Sequence, residues 1–311
     1  MSLHCHACLA DGMRVVLDLG CQPLNDRLLE PYELGEDEPR WSWRVAFCPA
    51  CGTLQRAEPP PPGLPPAETP SPVAETASLA RYLRGLKASL PPRGGAAVQF
   101  PYAGDLDAPG LFGTIHPRQA FLFTVHSIRH HLRAHGLEAV QVEQCPAGPE
   151  AIRVFIGHPG EFPIGESVAR WIAQEDSRGS NTWAFWERLG SGIESGREAL
   201  LAQIREIRSS GQRLCGYGMG SGGNLLLNHC GLGRDGFDGI DFVLDPSGTG
   251  VGRLTPGSHL PILPVSELEK RFIKVILLLD PRLASDLEGQ TEAWRARGGR
   301  TLDPWSLLHR G

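Results

Sequence analysis

No apolar run in these 311 residues is long enough to cross a bilayer, and nothing at the amino end reads as an export signal. We therefore expect a cytoplasmic protein without a membrane partner. A basic excess is missing too: 30 Lys and Arg face 35 Asp and Glu, a net charge of −5. Around residues 26–40 the acids Asp26, Glu30, Glu33, Glu36, Asp37 and Glu38 outweigh Arg27 and Arg40. That balance argues against a nucleic-acid surface, which needs clustered cations to neutralise phosphates. Cysteines are few for a disulfide scaffold. Cys21, Cys145, Cys215 and Cys230 sit singly in apolar segments, so small buried thiols and no disulfides are expected.

The remaining four cysteines form two pairs, Cys5-x-x-Cys8 and Cys48-x-x-Cys51. Each such turn aims two thiolates at one point, and two turns complete the tetrahedron that zinc prefers. The 39 residues between the pairs would form a ribbon-like loop closed by one metal ion. A redox or disulfide CxxC is the alternative. Histidines 126, 130, 131 and 135 share one helix at i, i+4 spacings, but no HExxH pattern accompanies them. Solvated positions on a polar face are expected for them.

Periodicity organises the rest. Strands are expected over 15–19 and 41–47, then a proline-rich stretch over 58–73 that can enter neither helix nor inner strand. Helices over 75–90 and 119–135 alternate with strands over 96–100, 137–143 and 151–157, and Gly136 stops the second helix. A long helix over 181–208 leads to strand 213–217, the loop Gly218-Met219-Gly220-Ser221-Gly222-Gly223 and a helix starting near Asn224. Strands 240–244 and 272–279, a helix over 284–297 and a last strand near 300–302 complete an α/β pattern.

Two strings make the reading more specific. VLDLGCQPLND (Val16 to Asp26) lies between the cysteine pairs, and GYGMGSGGNLLLNHCG (Gly216 to Gly231) precedes Asp245 and GRLTPGSHLPI (Gly252 to Ile262). In this order they resemble the S-adenosylmethionine-dependent C-methyltransferases of deoxysugar biosynthesis. The resemblance implies an α/β fold with an N-terminal zinc-ribbon-like module (1–57), a Pro-rich linker (58–73), a truncated methyltransferase-like remnant (74–160), and a helical connector with a C-terminal Rossmann-like parallel-sheet domain (161–311).

Departures from the family pattern carry as much information. The strand, acidic glycine loop and helix that cradle the methyl donor in that family have no counterpart between Cys51 and Glu75, where the prolines stand. Glu75 replaces a family histidine. Phe112 to Gln119 replaces a Tyr-His-Glu-His patch, so the family's base would align with Pro117 or Gln119, neither a useful proton acceptor. Losing the cradle removes a positioning effect of about 7–11 kcal/mol. S-adenosylmethionine binding is therefore not expected. The expectation is a degenerate homologue in a natural-product or sugar pathway that binds a nucleotide sugar or related metabolite, or serves a protein partner. The alternatives are new chemistry on the same scaffold (isomerase, hydrolase or oxidoreductase), or a methyltransferase completed by a partner.

Site residues follow from these readings. Zinc falls to Cys5, Cys8, Cys48 and Cys51. By resemblance, ligand contact falls to Tyr217, Gly218, Gly220, Asn224, Asn228 and His259, all of which could equally be turn and cap residues. Glu75, His116 and Arg118 are the acid-base candidates. Gly218-x-Gly220-x-x-Gly223 with Asp245 also fits a dinucleotide fingerprint, but a lone fingerprint is weak and NAD(P) is not favoured.

Overall fold

The computed structural model describes residues 3–24, 27–58, 73, 76–108, 110–115, 119–146, 151–233 and 239–308. Two compact units divide the chain, one of 1–18, 43–107 and 117–190, the other of 19–42, 108–116 and 191–311.

In the first unit the cysteine pairs sit among β1 (Arg14–Gln22), β2 (Trp41–Phe47) and β3 (Leu54–Arg56). Helix α1 (Leu79–Ser89) begins where the Ser78 side chain accepts from Arg81 N–H, and it buries Leu79 and Leu83. Strand β4 (Gly95–Pro101) follows, and then a difference from the sequence expectation appears. Phe121–Leu122 are not helical but form β5, paired with Leu54 and Gln55 of β3. The cause is Thr124, whose hydroxyl accepts from Ser127 N–H while the Ser127 hydroxyl accepts from Thr124 N–H, so α2 (Val125–Ala134) starts six residues late.

Strands β6 (Glu138–Gln144) and β7 (Ala151–Gly157) complete an antiparallel sheet in the order β4-β7-β6. Helix α3 (Glu166–Arg178), which sequence reasoning missed, packs on β6, and its Glu175 is buried. Glu175 accepts from the N–H groups of Val125 and His126 at the start of α2 and from the Tyr102 hydroxyl. Burial raises its pKa, opposed by those backbone bonds. Cys5, Cys48 and Cys51 share one core with Leu79, Phe121 and Ile128, so the knuckles and the α/β layer that follows them are one packed body. Helix α4 (Trp183–Ser209) follows, and the division between the two units falls within it, after Gly190.

The second unit holds a five-stranded sheet in which every pairing is parallel. Its elements are β8 (Arg213–Tyr217), α5 (Ser221–His229), β9 (Val243–Asp245), β10 (Ile262–Pro264), α6 (Glu267–Lys270), β11 (Ile273–Leu278), α7 (Ala284–Gln290), α8 (Glu292–Ala296) and β12 (Arg300–Leu302). The helix expected over 284–297 is broken at Thr291, whose hydroxyl donates back to Leu287 O at 2.5 Å. Helix α5 starts at Ser221 rather than Asn224, with Gly220 as its cap. Strand order is β10-β9-β8-β11-β12, so the chain leaves β8 toward one edge and returns beside it through β11. Such a reversal opens a crevice at the carboxyl ends of β8 and β11.

Candidate functional sites

The two knuckles repeat one turn. Leu9 N–H donates to Cys5 O and Gly52 N–H to Cys48 O, each at 2.9 Å, with φ of 67° and 71° at those fourth positions. Both turns are thereby curled tightly enough to point two sulfurs inward. Cys5 Sγ lies 3.7 Å from Cys51 Sγ and Cys8 Sγ 3.7 Å from Cys48 Sγ, and all four sulfurs fall within 4.8 Å of one another. A disulfide needs sulfurs about 2 Å apart. Four sulfurs each about 2.3 Å from zinc stand about 3.8 Å apart, so the cluster fits a zinc tetrahedron and excludes the disulfide reading in this structure.

Electrostatics agree. S–H groups of Cys5 and Cys51 aimed at Cys48 push its pKa down, while Cys48 in turn holds the protons on Cys5, pushed up to about 12, and on Cys51. Thiols this crowded cannot all ionise unless a cation joins them. Around the sulfurs, Cys5 Sγ meets Gln55 Oε1 at 3.6 Å and Thr53 Oγ1 meets His131 Nε2 at 2.8 Å. Neither support was legible in the sequence. His131 is buried rather than solvated because α2 turns it toward Thr53, and burial lowers its pKa to about 4. His126 instead pairs with Asp176, and His135 Nδ1 meets His131 O. Among the described residues the four cysteines form the one cluster with metal-ligand spacing.

The second candidate site is the crevice after β8 and β11. Gly218 takes φ of 96°, and a Cβ there would stand 2.8 Å from Leu283 Cδ1, so only glycine fits. Gly220 is different: its backbone is extended, and a Cβ would meet only Asp280 Oδ2, at 3.7 Å. Gly222 lies back to back with Gly113, whose carbonyl would be 3.0 Å from a Cβ. The close approach that a pyrophosphate would use at Gly222 is thus taken by the chain's own 111–114 turn. Asp280 carries Arg282 on both oxygens and borders Gly218 and Gly220.

The other expected ligand residues are scattered through this unit. Tyr217 is fully buried and donates its hydroxyl to Asp286 at 2.5 Å. Asn224 is buried one turn into α5, and Asn228 Nδ2 donates to Asn224 O and Pro256 O. His259 adopts a left-handed backbone, φ 54°, and meets Glu38 Oε2 at 3.1 Å; Glu38 also accepts from Gly257 N–H. Asp245, the ribose candidate of the fingerprint, is occupied by Ser247 N–H, Ser247 Oγ and Gly250 N–H. Glu75, His116 and Arg118 lie outside the described residues. Of the lone cysteines, Cys145, Cys215 and Cys230 are buried, but Cys21 is exposed next to exposed Gly20 near the end of β1, although alternation puts it on the face that Leu17 and Leu19 bury.

Comparisons match this geometry. Residues 150–304 match the family model of the C-methyltransferase C-terminal domain, and residues 5–64 match that of a zinc binding domain. A relative, the C-methyltransferase NovU of Streptomyces niveus, is 26% identical over 232 residues, covering 74% of this chain. The chain spans only about half, 54%, of that relative's length. With both domains matched in order, the cysteine tetrad in the first and the parallel sheet in the second, this chain belongs to the C-methyltransferase family.

Proposed function

We propose that this protein is a degenerate member of its family, working in a natural-product or sugar biosynthetic pathway, that binds a nucleotide sugar or related metabolite without transferring a methyl group itself. The observation that carries the binding half is the reversal of strand order between β8 and β11, the position where open parallel sheets take ligands at their carboxyl ends. Asp280, which borders Gly218 and Gly220 and is paired with Arg282, keeps acceptor positions on its carboxylate that suit a ligand hydroxyl.

The inert half of the proposal is supported by the first unit. Its sheet beyond the knuckles is antiparallel, and among its described residues no strand, glycine loop and helix follow one another as a donor cradle requires. Bound zinc would hold the two knuckles together through Cys5, Cys8, Cys48 and Cys51, with no open position for chemistry.

A thermal-shift panel tests both halves. A ligand at a hundredfold excess over Kd stabilises the fold by about 2.7 kcal/mol. Nucleoside diphosphate sugars should raise Tm and S-adenosylmethionine should not; micromolar binding of S-adenosylmethionine by calorimetry would refute the reading. Asp280→Asn should weaken sugar-nucleotide binding about tenfold, the cost of one charge-assisted hydrogen bond.

A further inference from the structure

A surface remote from that crevice carries its own signal. Phe272 is 91% exposed, the most exposed of the large apolar side chains described. It stands on a recess of about 380 Å³ at the starts of β11 and β12, lined by Leu268, Lys270, Lys274, Trp294 and Arg297 among others. Two of the three lysines in the chain are here. Lys270 and Arg271 are engaged by Glu267, whereas Lys274 spends one donor on Arg297 O and has no carboxylate partner among the described residues. An aromatic side chain in water beside unneutralised cations is the composition of an interface centre with a basic rim.

The same unit carries the complement. Segment 31–37 presents Tyr32, 78% exposed, and Leu34 beside Glu36 and Asp37, both exposed and without a side-chain partner among the described residues. It is joined to the loop before β10 by paired bonds between Leu29 and Leu254, each 2.9 Å. β10 and β12 are the two edges of the five-stranded sheet, so the acidic segment and the basic recess lie on opposite sides of it. Three or four strand spacings, roughly 15–20 Å, separate them.

We propose that the Phe272 recess receives the Tyr32–Asp37 segment of a second copy of this chain. Because the two surfaces differ and lie on opposite sheet edges, the contact is heterologous, and copies add head to tail. Attraction between Lys274 and Arg297 on one copy and Glu36 and Asp37 on the next makes the association salt-sensitive.

Sedimentation velocity on the full-length zinc-loaded chain tests this. In low salt the protein should form dimers and larger species with rising concentration, and high salt should reverse them. Phe272→Ser alone and the double variant Glu36→Lys, Asp37→Lys alone should each be monomeric, with Kd weakened at least about tenfold and Tm unchanged. Mixed, they should form a dimer and nothing larger, since each supplies one intact surface. A wild-type chain that stays monomeric, association that survives Phe272→Ser, or a mixture that does not dimerise would each overturn the proposal.

Discussion

Thr53 Oγ1 lies 2.8 Å from His131 Nε2, which ties the second cysteine knuckle to helix α2 through a buried side-chain pair. The histidine must remain neutral to stay there. Its folded pKa of about 4 is below the ordinary 6.5, so protonation favours the unfolded chain. The stability that neutral His131 supports is whole above pH 6.5 and is lost as pH falls toward 4. Melting curves between pH 7 and pH 4 should show this loss, up to about 3 kcal/mol, and His131→Asn should abolish that part of the pH dependence.

The four knuckle sulfurs fit a zinc ion. Elemental analysis should find one zinc per chain, and Cys48→Ser should lower zinc affinity by at least the roughly 10–100-fold that loss of an outer-shell partner costs. Chelation should expose the shared core containing Leu79 and Phe121, read as dye binding or a lowered Tm. Zinc content unchanged in Cys48→Ser would remove this cysteine from the ligand set.

Leu9 occupies the left-handed position that Gly52 fills in the other knuckle, with its side chain 82% exposed. The strain there brings no packing in return. Leu9→Gly should therefore stabilise the protein by up to about 1 kcal/mol, the relief of left-handed strain less the added entropy of the unfolded chain. Denaturant midpoints would show it, and a destabilised variant would contradict it.

The glycines after β8 should not behave alike. Gly218→Ala and Gly222→Ala should each cost about 1–3 kcal/mol, the first through positive φ and Leu283, the second through the Gly113 carbonyl. Gly220→Ala should be near neutral, since its backbone is extended and its Cβ direction is open. A dinucleotide loop would show the contrast differently, because Gly220→Ala would then abolish cofactor binding.

Local patterns carried much of this protein. The CxxC spacing was sufficient for the tetrad because two residues within one turn set where two sulfurs point, and the strands expected over 41–47, 151–157 and 213–217 stand at those bounds as β2, β7 and β8. The order of strand, glycine loop and helix was likewise readable, since each needs only neighbouring residues. Where a cap competed with an apolar period, as at Thr124, the period misled. Thr291 broke the expected helix over 284–297 by the same kind of local bond.

What pattern could not reach depends on residues far apart in the chain. Glu38 and His259 are 221 positions apart, Thr53 and His131 are 78, and no periodicity links either pair. Likewise the glycines after β8 looked alike in sequence, yet Gly222 is demanded by Gly113 and Gly218 by Leu283. Sequence alone determined the metal knuckles, most of the strands and the glycine loop between β8 and α5, because those follow from backbone preference and short-range spacing. Only the tertiary structure decided which side chains are consumed in packing and which face the crevice, because burial is a property of what the rest of the chain brings alongside.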